Sequence, residues 1–289
     1  MASVFTLPKP LHHLFSLFPL HTYPPVPTTL KANAVTSPTL WVHPPRNTEE
    51  PDLLSSDVEC LKWQAYIALR GLSGITLRWD ISPDGAIEGR LPNLHAPLPG
   101  SEDGGGQLLP AASIADWVDG QVGELGPLEG YVDEAAKDES RAWVSLLEGN
   151  VHAALVLFHP KPVTLLSVIA PFQPVAPTIE SMLSPPPPPL TGLSSILPAY
   201  GSRVDRTIVL ERYKEAISSL SERLGTDRWF LGSSVPTALD ALLFAYLHCL
   251  LHCKDNALRF EVTRRVNLVA WERRVQSDVR AAFRHTKAQ

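Results

Sequence analysis

A thin α/β layer followed by an all-helical half is the fold that three observations in this 289-residue sequence predict. Short β-type runs and helical stretches alternate between residues 39 and 122. From residue 133 onward apolar side chains recur at helix spacing. Near the C-terminus, Thr237-Ala-Leu-Asp240 opens a run to Leu251 that is apolar on nearly every face, as only a core helix can be.

The first strand is expected in Thr39-Leu-Trp-Val-His43, ended by Pro44-Pro45. Ser55 or Ser56 should cap a helix running to about Arg70, with Gly71 as its stop. Residues 75–79 alternate as a strand does, and turn-rich Ser82-Pro-Asp-Gly-Ala86 leads to another short strand at 91–95. A Gly-rich loop covers 100–106, and a second hairpin strand is expected within 107–109. Residues 110–122 read as a helix with Ile114, Trp117 and Val118 on one side. Strand, helix, strand, X-Pro strand, helix is a shortened thioredoxin-like layout.

Beyond a Gly/Pro linker, residues 133–158 place apolar side chains at 143, 147, 151, 154 and 158. Residues 160–203 hold eleven prolines, five of them consecutive, and read as an extended insertion. Residues 204–224 form an amphipathic helix with Leu210, Tyr213, Ile217, Leu220 and Leu224 on one face. In the core helix that follows, Thr237 accepts the third amide and Asp240 reaches back to the cap amide. Helices near 257–266 and 267–283 complete the chain. The organisation is a leader at 1–37, a thioredoxin-like unit at 38–122, and a helical unit at 128–289 that contains the 160–203 insertion.

Composition narrows the function. A net charge of −5 argues against nucleic acid as the main partner. Residues 1–200 hold 10 basic and 20 acidic residues, whereas 201–289 hold 15 and 10. Three cysteines make no disulfide framework and suit a reducing compartment. No run of about 20 apolar residues is uninterrupted, so membrane attachment would go through a partner or a surface patch. The first 48 residues lack Asp and Glu, yet Arg is absent before Arg46 and prolines are frequent. A disordered or docking leader is therefore expected ahead of a cleaved presequence. Its Phe15, Phe18 and Tyr23 would anchor it.

Several segments resemble metaxins, proteins built on the glutathione-transferase-like plan of a thioredoxin-like layer and a helical bundle. They are Asp57-Val-Glu-Cys-Leu-Lys-Trp-Gln-Ala-Tyr66 with Gly71, Gly89-Arg-Leu-Pro-Asn93, Trp143-Val-Ser-Leu-Leu-Glu148, and Leu220-Ser-Glu-Arg-Leu-Gly225 running into the Phe230-Leu-Gly and Thr237–Asp240 block. The leader from Leu14 to Pro25, combined with Cys60-Leu-Lys-Trp-Gln64, resembles the fungal branch, which contains a receptor subunit of the mitochondrial sorting and assembly machinery. The resemblance covers roughly 11–25, 39–158 and 200–275. It implies a non-enzymatic protein without a cofactor, peripheral on the cytosolic face of the mitochondrial outer membrane. Its implied partners are the machinery's β-barrel subunit, a second metaxin-like subunit and β-barrel precursor proteins.

A transferase reading stands beside it. Such an enzyme holds a thiolate near the first strand–helix junction, where Ser55, Ser56 and Cys60 lie. Capping is the expected role of the serines, and core packing that of Cys60. Pro92 matches the cis-proline position that shapes a thioredoxin-like cleft, a structural role here. Ala112-Ser113 keeps the serine of a γ-glutamyl site and loses its acidic partner. His248, Cys249, His252 and Cys253 have ligand-like spacing, but adjacent pairs diverge by about 100° on a helix. Core cysteines, with the histidines at an exposed helix end, are the expectation. Arg264, Arg265, Arg273 and Arg274 head a cationic C-terminal group that would face anionic lipid or an acidic partner.

Overall fold

The computed structural model describes residues 35–46, 53–81, 83–98, 105–158 and 205–285. Strand β1 (Thr39–Trp41) is followed by helix α1 (Val58–Leu69), β2 (Ile75–Arg78), β3 (Asn93–Pro97), β4 (Gly106–Pro110) and α2 (Ile114–Val122). The sheet order is β4-β3-β1-β2-β5. β1 pairs parallel with β2 and antiparallel with β3, and β3 pairs antiparallel with β4. This is the thioredoxin-like arrangement, with the parallel crossover supplied by α1.

The fifth strand was not foreseen. The last helix was expected to reach about residue 283, but it ends at Ala282, and β5 (Phe283–His285) lies parallel to β2. Phe283 is buried, so its apolar ring favours extending the chain along the sheet over a further exposed turn. The C-terminal segment thus returns to the N-terminal sheet.

The helical half contains α3 (Glu134–Leu146), α4 (His152–Leu157), α5 (Arg206–Leu224), α6 (Ala238–Leu251), α7 (Asn256–Thr263) and α8 (Val266–Ala282). The helix expected over 133–158 is interrupted by a π-turn at Leu147–Val151, where Gly149 offers poor helix propensity. The expected helix at 110–122 opens with a 3₁₀ turn, Ala111–Ser113. The proline-rich insertion at 160–203 lies outside the described residues, as do Phe15, Phe18 and Tyr23.

Helix α6 organises the core. Every residue from Leu239 to Leu250 is buried, and α1, α7 and α8 pack around it. Tyr213 of α5 donates its hydroxyl to the Leu258 carbonyl of α7 at 2.7 Å. Asn267 of α8 donates to the Ser221 carbonyl of α5 at 2.8 Å. Arg223 holds Glu139 through two hydrogen bonds of 2.7 and 3.0 Å, tying α5 to α3. Gly71, with φ +85°, ends α1 in the left-handed conformation that a side chain would strain.

The start of α6 is a closed capping box. Asp240 accepts from the Phe230 amide, the Thr237 amide and the Thr237 hydroxyl, each at 2.8 Å. Its carboxylate therefore fastens the preceding loop as well as the helix end. Burial pushes its pKa up to about 6 against the pull of those donors.

Candidate functional site

The junction of β1 with α1 is where this layout can stabilise a thiolate, because helix amides there point outward. The chain fills that position with its own groups. Asp57, not Ser55 or Ser56, caps α1 and accepts from the Cys60 amide at 2.9 Å. The two serines face backward. Ser55 donates to the His43 carbonyl at 2.9 Å and accepts from the Asp57 amide at 3.2 Å. Ser56 donates to the Pro44 carbonyl at 2.8 Å. Both hydroxyls thus pin the loop to the end of β1, and this corrects the expected capping role.

Buried Gln64 reinforces the junction. Its side chain accepts from the Ser55 amide at 3.0 Å and donates to the Leu53 carbonyl at 2.8 Å. Cys60 is fully buried, and its sulfur accepts from the His43 amide at 3.4 Å. Burial pushes its thiol far above the ordinary cysteine range, with the nearby Asp57 charge acting in the same direction. Cys60 is therefore a neutral core thiol.

His43, Asp57 and Cys60 bring a nitrogen, an oxygen and a sulfur within 4.8 Å of one another. Such a donor set suits zinc in kind. Here the proximity has a local cause, since the carboxylate is engaged as the helix cap and the sulfur by the His43 amide. The four residues with ligand-like spacing at the C-terminal end of α6 do not converge. His248 meets Glu272 at 2.7 Å, Cys249 donates to the Ser56 carbonyl at 3.7 Å, and Cys253 donates to the Asp255 carbonyl at 3.3 Å. Burial pushes the Cys249 thiol up to about 11 and holds the His248 pKa below its usual value. His248 is thus a buried partner of α8 rather than a member of an exposed helix end; only His252 is exposed. A buried acceptor on a neighbouring helix explains the difference.

Outside the sealed junction lies a cleft of about 870 Å³, walled by Arg46, Asp57, Glu59, His152, Tyr246 and His252 among others. Ahead of β3 the Leu91–Pro92 peptide is cis, as the thioredoxin-like layout expects, and Asn93 is buried with its side chain accepting from the Ile87 amide at 2.9 Å. Ser113 precedes α2 without a side-chain cap bond, and Ala112 supplies no polar group there.

The four named arginines are not equivalent. Arg264 and Arg265 both approach Glu261, at 2.5 and 3.7 Å. Arg274 donates to the Arg228 carbonyl and lies over the Trp229 ring. Arg273 is exposed. The spacing of Glu261 with Arg264 and Arg265 carried a signal for the first pairing.

Residues 213–275 match the family model of the glutathione S-transferase C-terminal domain. No curated protein matches the chain. Among solved structures, a glutathione S-transferase III in apo form is 15% identical over 85% of this chain and 97% of its own, with a TM-score of 0.45. A glutathione S-transferase from Rhodospirillum rubrum F11 is 15% identical over 83% of this chain and 88% of its own, with a TM-score of 0.46. A GST-like protein from Pseudomonas syringae is 12% identical over 86% and 70%, with a TM-score of 0.49. The strand order, together with the matched C-terminal domain, gives the fold as a thioredoxin-like unit followed by a glutathione-transferase-like helical unit.

Proposed function

We propose that this protein is a non-enzymatic, metaxin-like subunit of the mitochondrial sorting and assembly machinery. In this reading it sits peripherally on the cytosolic face of the outer membrane, beside the β-barrel subunit and a second metaxin-like subunit. It aids recognition and insertion of β-barrel precursor proteins. The observation that carries the reading is the closed β1–α1 junction. Ser55 and Cys60 are buried, and the Asp57 carboxylate occupies the Cys60 amide. An incoming thiolate would meet a carboxylate there in place of a free helix end.

The sheet adds a place for a client. β4, with five residues, is the longer of the two edges in the strand order and is largely exposed. Its outward amides and carbonyls suit an added strand, the recurrent way an extended peptide joins a sheet. No helix among the described residues is long and apolar enough to cross a membrane, which agrees with peripheral attachment.

The experiment is co-isolation from detergent-solubilised outer membranes through a tag on the full chain. Recovery of a multi-stranded β-barrel protein is expected; recovery of the tagged chain alone would contradict the assignment. A second reading, a glutathione-transferase-like enzyme, draws on the cleft beside the junction. Retention on glutathione resin with conjugating activity, lost in Ser55→Ala or Ser56→Ala, would favour it.

A further inference from the structure

The two most exposed large apolar side chains among the described residues lie on either side of one turn. Phe260 on α7 is 65% exposed, and Val266, which opens α8, is 79% exposed. Only five residues separate them. On α8, Val266, Ala270 and Arg273 are all exposed and follow helix spacing, so they share one outward stripe. On α7, Arg259, Phe260 and Thr263 are exposed together.

The charge of this corner is one-sided once its acids are traced. Asp255 is engaged as the α7 cap, accepting from the Ala257 and Leu258 amides. Glu261 is buried beneath Arg264 and Arg265. Glu272 is buried against His248. Asp278 is the remaining acid of residues 254–285, and it lies three turns along α8 from Val266. The exposed part of the corner is therefore apolar and cationic, with Lys254, Arg259 and Arg273 outward.

We propose that the α7–α8 corner is a lipid-contact surface, with Phe260 and Val266 entering the headgroup–acyl boundary of a bilayer while Arg259 and Arg273 meet anionic phospholipid headgroups. Two apolar side chains at a helix–helix turn are few for a stable protein interface, which needs about 800 Å² from each partner. They are enough, with a cationic rim, for reversible interfacial binding. Charge complementarity selects an anionic surface, because a basic partner would find Glu261 and Glu272 buried and Asp255 engaged as a helix cap. The inference deepens the proposed membrane-peripheral role and rests on it for the identity of the membrane. Its chemistry needs no barrel subunit.

The test is sedimentation of the purified full chain with phosphatidylcholine vesicles, with and without about one-fifth phosphatidylinositol. Binding is expected to the anionic vesicles only and to weaken as salt rises. Phe260→Ser with Val266→Ser should lower the partition coefficient about tenfold or more, since each removes apolar area from the bilayer contact. Arg259→Glu with Arg273→Glu should lower it by a similar factor. All four positions are exposed, so unchanged thermal melting is expected and verifies folding. Absence of wild-type binding to anionic vesicles at low salt overturns the proposal. Equal binding by wild type and both double variants assigns the contact to another surface and overturns it as well. Failure here, with a barrel protein still co-isolated, removes the lipid surface and leaves the proposed function standing.

Discussion

Carboxylates close the starts of several helices, and those at α6 and α1 are used differently. At α6, Asp240 is fully buried and answers three donors drawn from the loop and the helix end. At α1, Asp57 is half-buried and answers the single Cys60 amide at the mouth of a cleft. The first carboxylate fastens the core. The second closes a position that could otherwise stabilise a thiolate. The same capping chemistry thus fastens the core at one junction and fills the helix end beside a cleft at the other.

The largest effect should come from breaking the buried cap. Asp240→Ala leaves three buried donors without their acceptor and should cost about 3 kcal/mol or more in urea unfolding. A loss below about 1 kcal/mol would mean the loop re-forms its bonds elsewhere.

A pH comparison sharpens the same point. The folded pKa of Asp240, about 6, stands above the unfolded value of about 3.9. The folded state therefore binds the proton more tightly, and stability from this group declines as pH rises from about 4 to 6. Asp240→Asn does not titrate there. The stability difference, wild type minus variant, should fall by about 2–3 kcal/mol between those pH values. A flat difference would show that the hydrogen bonds outweigh burial.

Asp57→Ala should cost less, about 1 kcal/mol, because one partly exposed amide loses its partner and water can replace it. Asp57→Asn, able to cap without charge, should recover most of the loss. At the smaller end, exchanging Arg223 for Met should remove a partly exposed ion pair with Glu139 and cost at most about 1 kcal/mol. If this pair cost as much as Asp240→Ala, burial would not be what separates the two classes of carboxylate.

The α6 cap was legible because Thr-x-x-Asp before an apolar run admits one geometry. The α1 cap was not. Ser55, Ser56 and Asp57 are consecutive candidates, and the His43 and Pro44 carbonyls that claim the serines lie 12 residues away in the chain. His248 could not be read as buried, since its acceptor Glu272 is on another helix. β5 left no pattern, because three residues carry little alternation and their partner strand lies some 200 residues earlier. The basic C-terminal surface was visible as composition. Which arginines are engaged depended on the burial of Glu261 and on the Trp229 ring, neither of which spacing alone could rank.

The β1–α1 junction holds no reactive thiol on this reading, and alkylation of Cys60 by iodoacetamide decides the matter. In the native protein near pH 8, modification should be negligible and should appear only when denaturant opens the core, because the buried thiol stays protonated. Rapid modification of native Cys60 at neutral pH would mean an accessible thiolate at that junction, and the account would be contradicted.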